Sequence, residues 1–228
     1  HAMDFIFPEI AAWQKTRELL QSSACGRIRH IALTWRAETY SYSQGTQAQG
    51  WKRRAVDGGG TLNNFVSHTF YYLEWLFGPI TKLSARLSPA KAEVEARVDV
   101  WAEFAAGFGG TVSVAADAFL GNGHRMEVYG DAGTLVLDNP TKDYARGFKL
   151  SLGTRTSPQL TTVETPGDNA HPDGRVYPAS RIATRFVDAI LGGKQIVPNL
   201  EDGLRAQVLL DAARLACETG SWQSVASK

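Results

Sequence analysis

The sequence predicts an α+β domain in which helices cover one face of a large, open and mainly antiparallel sheet. Between residues 80 and 163, short runs that alternate apolar and polar side chains recur with glycine-bearing turns between them. Apolar residues at helical spacing flank this region on both sides. Because the 228 residues show no repeat and no linker-like stretch, residues 1–228 are expected to form one domain with seven to nine strands.

Two helices and a strand are predicted before this region. Pro8 suits the first turn of a helix that ends at Gly26, and the apolar face of that helix carries Ile10, Trp13 and Leu20. Residues 27–38 alternate as a strand with one covered face. An irregular loop over residues 39–60 has a length typical of functional or disordered segments. A triple glycine then opens a second helix over about residues 62–77.

The strands of the predicted sheet follow in close succession, and the first four are expected to be neighbours in one antiparallel sheet. They are expected at residues 80–87, 94–104, 111–119, 125–129 and 134–137, with weaker ones at 148–152 and 160–163. The turn at residues 130–133 indicates a hairpin because its residues tolerate positive φ. Two helices at about 179–191 and 201–219 and a short strand near Trp222 complete the domain. The second of these helices is expected to bury Leu204, Val208, Ala212 and Leu215.

Charge and composition restrict the partners of the chain. Lys and Arg total 24 against 23 Asp and Glu, so the strong basic field that favours nucleic acids or anionic membranes is absent. Cys25 and Cys217 lie far apart without nearby ligands, which argues against a disulfide framework or zinc motif and favours the cytoplasm. No apolar run approaches the ~18 residues of a membrane span. Small molecules or proteins are therefore the expected partners.

Nucleotide-binding and hydrolase motifs are absent from the sequence. No glycine-rich turn of the dinucleotide type precedes the first helix, and residues 107–110 lie between two strands, where no helix dipole receives a phosphate. The patterns G-x-x-x-x-G-K-[ST], H-E-x-x-H and G-x-S-x-G do not occur. Neither a cofactor site nor a metal site is therefore expected in this chain.

The second predicted helix carries polar groups in an unusual place. One helical stripe holds an amide, an imidazole, a phenol and an indole, from Asn64, His68, Tyr71 and Trp75. Since the other side of the helix is already apolar, this stripe is expected to line a cavity or meet solvent. Two interpretations stay open for His68: a ligand-binding group, or an interior histidine that donates to a backbone carbonyl.

The same helix carries a family resemblance. The run Gly58-Gly59-Gly60-Thr61-Leu62-Asn63-Asn64, followed by His68 and Leu76-Phe77-Gly78, resembles the G-G-G-x-L-x-D-x-x-x-H…L-x-G signature of the Gfo/Idh/MocA oxidoreductases. Residues 14–28, 127–135 and 201–207 are similar to further family segments, in the family's order. The resemblance covers nearly the whole chain and corresponds to the C-terminal half of a family member.

This resemblance implies a substrate-binding and oligomerisation domain. Family members begin with a Rossmann domain that binds NAD or NADP and supplies a catalytic lysine, and neither is found in this sequence. The chain alone is therefore expected to bind no cofactor and to be inactive, whereas the complete protein would oxidise a sugar or polyol hydroxyl. A noncatalytic sugar-binding or scaffold relative is the alternative.

The matched positions imply the site residues. His68 falls on the family's histidine and is expected to be the catalytic residue at the reacting hydroxyl. Asn64 and Tyr71 stand where the family often has aspartate, and an amide cannot take the hydroxyl proton. Trp51 and Arg54 resemble the family's substrate-facing loop, where an aromatic face and a guanidinium suit a sugar. Asn64, Tyr71, Trp51 and Arg54 are therefore expected to bind substrate.

A homo-oligomer is expected through the open face of the sheet, as a two-fold dimer. Two predicted strands and the residues after them carry more apolar surface than helices on one face could cover, namely Val98, Val100, Trp101, Phe104, Val112, Val114 and Phe119. The family resemblance implies the same use of the sheet.

Overall fold

The computed structural model describes residues 1–39, 50–88, 93–167 and 171–226, which form nine strands and four α-helices. The strands are β1 (Ile28–Arg36), β2 (Ile80–Ser88), β3 (Arg97–Phe104), β4 (Gly109–Ala115), β5 (Gly123–Gly130), β6 (Gly133–Asn139), β7 (Lys149–Thr154), β8 (Ser157–Val163) and β9 (Gln223–Ser224). The helices are α1 (Ala11–Gln21), α2 (Ser67–Phe77), α3 (Val176–Gly192) and α4 (Leu200–Thr219). Every predicted helix and strand is present, with ends shifted by a few residues.

All nine strands belong to one sheet in the order β8-β7-β6-β5-β1-β4-β3-β2-β9. Strand β1 runs parallel to β4, and every other neighbouring pair is antiparallel. The predicted α+β class with a mainly antiparallel sheet is confirmed. The expected adjacency of β4 and β5 is wrong, because β1 lies between them and pairs with both. Alternation of side chains marks a strand but carries no information about its neighbours.

Alternate residues of the strands point to the helix-covered face and form the core. Five of the seven apolar residues expected on the open face lie in this core instead, namely Val98, Val100, Phe104, Val112 and Val114. They share one face because side chains two residues apart point the same way along a strand. Trp101 is 49% exposed on the open face, and Phe119 lies beyond the end of β4.

Helix α4 packs on β2 with a different face from the predicted one. Leu204 is 66% exposed, and Val208 and Leu215 are also exposed. The buried face consists of Arg205, Ala206, Leu209, Leu210, Ala213 and Ala216. The prediction was wrong because three alanines allow a close approach to the sheet, and because the guanidinium of Arg205 is paired with Glu74 at 2.7 Å, inside the protein.

The residues before α1 belong to the core, and this positions the site described below. The predicted helix start at Pro8 is a separate 3₁₀ turn, Phe7–Glu9, and extended Ile10 separates it from α1. Buried Glu9 pairs with Arg181 at 3.1 Å and with Arg185, both on α3. None of the helices in the described ranges is long and apolar enough to cross a membrane.

Candidate active site

The triple glycine brings three segments together at the entry to α2. Gly60 has φ +99°, and a Cβ there would lie 2.5 Å from a carboxylate oxygen of Glu95. That oxygen accepts the N–H of Leu62 at 2.6 Å. A Cβ on Gly59 would lie 2.5 Å from the carbonyl oxygen of Lys52. Glycine is therefore required at both positions, because the loop and the 95–96 segment approach the helix start too closely for a side chain.

A π-helical turn, Leu62–Val66, connects this entry to α2 and places Asn64. Its side-chain nitrogen donates to the carbonyl oxygen of Gly60 at 2.7 Å. This bond fixes the orientation of the amide, whose oxygen can accept a hydrogen bond from a ligand. Such π turns are rare and frequently occur at functional sites.

A cleft of about 770 Å³ lies beside this turn, between α2, the ends of β1 and β5, and the N-terminal segment. Asn64 and His68 line it from the helix side, with Trp35, Phe65 and His124 among the aromatic residues around them. Further polar groups come from the N-terminal segment, β1, the loop after β6 and the start of α3, namely Asp4, Arg36, Glu38, Thr141, Lys142, Tyr144 and Arg175. The cleft is large enough for a monosaccharide.

His68 is partly buried in this cleft between aromatic rings. The ring centroids of Phe5 and Phe7 lie 5.4 and 6.0 Å from its own, both nearly edge-on. Burial lowers the pKa of His68 to about 4, so the imidazole is neutral at pH 7. Its Nδ1 atom is buried and has no hydrogen-bond partner among the residues that the structure describes. The interpretation of His68 as an interior histidine donating to a carbonyl therefore gains no support.

Behind His68, a chain of hydrogen bonds ties α2 to β5. The hydroxyl of Tyr72 lies 2.9 Å from Nε2 of buried His124 and donates to Oγ1 of Thr69 at 3.0 Å. Thr69 in turn donates to the carbonyl oxygen of Phe65 at 3.1 Å. Burial lowers the pKa of His124 to about 3, so this ring is neutral as well. Sequence reasoning missed this chain because nothing in the pattern links residue 72 to residue 124.

The structure separates the predicted stripe into two halves. Asn64 and His68 line the cleft, but Tyr71 and Trp75 line a second cavity of about 230 Å³ between α2 and α4. The N-terminal segment divides them, since the ring of Phe5 contacts both His68 and Tyr71. The stripe therefore lines two cavities rather than a single one.

The predicted loop residues stand beside the cleft rather than in its wall. Trp51 is 48% exposed and lies against the ammonium of Lys52, 5.5 Å from the ring centroid. Arg54 is exposed and pairs with Asp57 at 3.0 Å. Lys52, between them, is the residue of this turn that lines the cleft. Positions 40–49 of the predicted loop lie outside the described residues.

The glycine-rich segments offer no cradle for a dinucleotide. Gly59 and Gly60 are closed off by the Lys52 carbonyl and the Glu95 carboxylate. Gly110 lies within β4, where a Cβ would be 2.3 Å from the side chain of Ile31. Neither segment leaves backbone N–H groups open to a pyrophosphate at the start of a helix. These two segments therefore do not fit the diphosphate of NAD(P).

Comparisons with known proteins show what the chain is similar to. The sequence model of the GFO/IDH/MocA C-terminal domain matches residues 13–136. An uncharacterized oxidoreductase of Synechocystis sp. is 34% identical over 240 residues, covering 97% of this chain and 64% of the relative. The chain thus spans less than two thirds of that relative's length.

Solved structures share the fold. Levoglucosan dehydrogenase in complex with NADH and levoglucosan superimposes with a TM-score of 0.83 at 21% identity, covering 100% of this chain and 67% of that one. A putative myo-inositol dehydrogenase from Sinorhizobium meliloti gives 0.69 at 20% identity, covering 97% and 64%. At these identities the likeness establishes the fold alone.

Proposed function

The chain belongs to the Gfo/Idh/MocA oxidoreductase family as a C-terminal domain, and we propose that it is the substrate half of an NAD(P)-dependent sugar or polyol dehydrogenase. The family membership supports the reaction class. The names of two structural neighbours, a levoglucosan dehydrogenase and a putative myo-inositol dehydrogenase, support a sugar or polyol as the substrate. The cleft beside α2 is the proposed substrate site.

The observation that carries this proposal is the state of His68. Its ring is partly exposed to the cleft and neutral at pH 7, and its buried Nδ1 makes no hydrogen bond to the described residues. A neutral imidazole can accept a hydrogen bond from a hydroxyl or donate one to it. Because a pKa of about 4 disfavours full protonation at pH 7, His68 orients the hydroxyl and shares its proton with a second base.

Asn64 has a binding role in this proposal. Its amide nitrogen is held by the Gly60 carbonyl, which leaves the amide oxygen to accept a hydrogen bond from a second hydroxyl. An amide cannot ionise, so Asn64 takes no proton. The second base is then the lysine that the family resemblance assigns to the cofactor-binding half.

We assign the dinucleotide to the cofactor-binding half that the family resemblance implies, because the described glycine-rich segments leave no space for its diphosphate. When bound, NAD(P) supplies the group that accepts a hydride from the substrate carbon. The residues of this chain bind the substrate, orient one hydroxyl at His68 and exclude water with the aromatic rings around the cleft. These tasks account for the combination of a large cleft, two polar side chains from α2 and many aromatic neighbours.

The test is an assay of the polypeptide in which this chain follows a cofactor-binding domain. A panel of sugars and polyols is supplied with NAD or NADP, and formation of the reduced nicotinamide is followed by absorbance. The proposal expects turnover with at least one polyol or sugar and none without it. Binding of such compounds to the cleft without any turnover would favour the noncatalytic alternative.

A further inference from the structure

A second wall of the cleft carries positive charge that the proposed function does not use. It is formed by the loop after β6 and by the start of α3, which contribute Lys142, Tyr144 and Arg175. We infer that this wall binds an anionic group, so that the substrate of the cleft is a sugar or polyol bearing a carboxylate or phosphate. The inference rests on the proposed function, because it assigns the class of substrate that the same cleft accepts.

The loop that carries Lys142 is fixed by one buried side chain. Asn139 accepts from the backbone N–H and the hydroxyl of Thr141 at 3.0 and 2.7 Å. Its side-chain nitrogen donates to the carbonyl oxygens of Asp143 and Arg146 at 2.8 and 3.0 Å. The backbone on both sides of Lys142 is therefore held in place, which lowers the entropic cost of binding a ligand there.

The same loop is joined to the start of α3. A carboxylate oxygen of Asp143 accepts the backbone N–H of Gly174 at 3.0 Å, and a Cβ at Gly174 would lie 2.6 Å from that carboxylate. Next to it, Arg175 pairs with Asp173 at 2.6 Å and lies 5.9 Å from the ring centroid of Tyr144. Arg175 is thus oriented by its neighbours, and Asp173 offsets much of its charge.

Lys142 differs from Arg175 in its contacts. It makes no ion pair within the part of the chain that the structure describes, in contrast to Arg175. Among the described residues, four basic side chains line the cleft against two acidic ones; the basic residues are Arg36, Lys52, Lys142 and Arg175, and the acidic residues are Asp4 and Glu38. Because Asp173 offsets much of the charge of Arg175, a smaller excess of positive charge remains. Such an excess favours a ligand of the opposite charge.

The test compares three ligands with the same carbon chain: D-glucitol, D-gluconate and D-glucitol 6-phosphate. Their affinities for this chain are measured by NMR titration, with the histidine ring signals as a second readout. Because charge-assisted hydrogen bonds are about twice as strong as neutral ones, at least one anionic ligand is expected to bind ~10-fold more tightly than glucitol. Tighter binding of gluconate would indicate a carboxylate subsite, and tighter binding of glucitol 6-phosphate would indicate a phosphate subsite.

A pair of matched variants tests whether Lys142 supplies the positive charge that binds the anionic ligand. Lys142→Gln is expected to reduce the preference to about 3-fold or less, because the unpaired ammonium is lost. Lys149→Gln removes an exposed lysine of β7 that does not line the cleft, and it is expected to keep the full preference. An unchanged preference in Lys142→Gln would overturn the inference.

The readouts separate failure of this inference from failure of the proposed function. Equal affinity for all three ligands, with a shifted His68 ring signal, would overturn the anionic subsite and leave the sugar site standing. An anionic preference that depends on Lys142 but leaves the His68 signal unmoved would retain the subsite and count against the role of His68. Absence of gluconate and phosphate binding at millimolar concentrations would also overturn the inference.

Discussion

The ring of Phe5 lies flat against the ring of Tyr71, with 4.4 Å between centroids and 18° between planes. Phe5 is buried, and the same ring meets His68 edge-on. The N-terminal segment therefore crosses α2 between His68 and Tyr71 and closes the cleft at that point. Burial and the nearby charge of Asp202 raise the pKa of Tyr71, so its hydroxyl stays protonated at neutral pH and cannot serve as a base.

This relationship predicts different outcomes for two neighbouring substitutions on one helical stripe. Asn64→Ala removes a polar group from the cleft and is expected to raise KM several-fold while kcat changes little, because a binding contact is lost. Tyr71→Phe keeps the stacked ring and is expected to leave KM within about 2-fold of the unaltered protein. Steady-state kinetics of the complete protein measure both. A large rise in KM for Tyr71→Phe would place that hydroxyl at the substrate after all.

The stripe also shows which features of the site could be predicted from the sequence. Spacings of four, three and four residues predict that Asn64, His68, Tyr71 and Trp75 follow one side of a helix. From Asn64 to Trp75 that side is ~16 Å long, at 1.5 Å per residue, which is long enough to pass from one cavity to another. Residues 1–7 show no periodicity that would indicate where this N-terminal segment crosses the helical stripe. The division of the stripe between two cavities could therefore not be predicted.

A pH dependence of stability follows from partly buried His68 and buried His124. The folded-state pKa values of His68 and His124 are lowered to about 4 and about 3, below the ordinary value of 6.5. At pH values between each folded-state pKa and 6.5, the unfolded chain binds more protons than the folded one. The free energy of unfolding therefore falls as pH decreases below 6.5. For His68 the loss is expected to be complete near pH 4 and to reach ~3 kcal/mol at most.

Denaturant unfolding at pH 7.5 and pH 4.5 measures this effect. His68→Gln removes one of the two titrating groups, so its stability is expected to fall less between these pH values than that of the unaltered chain. His30→Gln replaces an exposed histidine on the uncovered face of the sheet and serves as the control. Equal losses in all three proteins would show that His68 is solvated and charged at low pH in the folded state.

A two-fold dimer through the open face of the sheet remains a prediction. Its basis is smaller than the sequence indicated, since all four valines assigned to that face are buried in the core. Trp101 and Tyr129 are its large exposed rings within the described strands. Trp101→Lys is therefore expected to convert a dimer into a monomer, measured by light scattering at tens of micromolar protein.

The control for this prediction lies on another surface. Leu191 on α3 is at least as exposed as Trp101, and Leu191→Lys is expected to leave the dimer intact. A monomer in the unaltered protein at the same concentration, or equal dissociation in both variants, would count against the sheet face as the interface.

The chain is also expected to bind neither NAD nor NADP by itself. Its glycine-rich segments are filled by Lys52, Glu95 and Ile31, so no helix start offers free N–H groups to a diphosphate there. Calorimetric titration of the chain with each dinucleotide tests this. Binding tighter than about millimolar would show that a cofactor site had been overlooked.

The sheet could be predicted in greater detail than the faces of its helices. Alternation and glycine turns located every strand, because a strand with one buried face repeats every two residues. The buried side of α4 was misassigned because apolar residues occur on both sides of that helix, and packing selected the side with small alanines and Arg205. The cleft residues Lys142, Tyr144 and Arg175 were missed because the loops that carry them show no periodic signal.

The central claim is that His68 handles the substrate hydroxyl, and the turnover of His68→Ala tests it most directly. In the polypeptide with its cofactor-binding domain, kcat is expected to fall ~10²–10⁴-fold, the usual contribution of a positioned acid or base. His30→Ala, at an exposed histidine remote from the cleft, is expected to retain normal turnover. Near-normal turnover of His68→Ala, together with a melting temperature lowered by many degrees, would contradict the claim and identify His68 as a structural residue of the core.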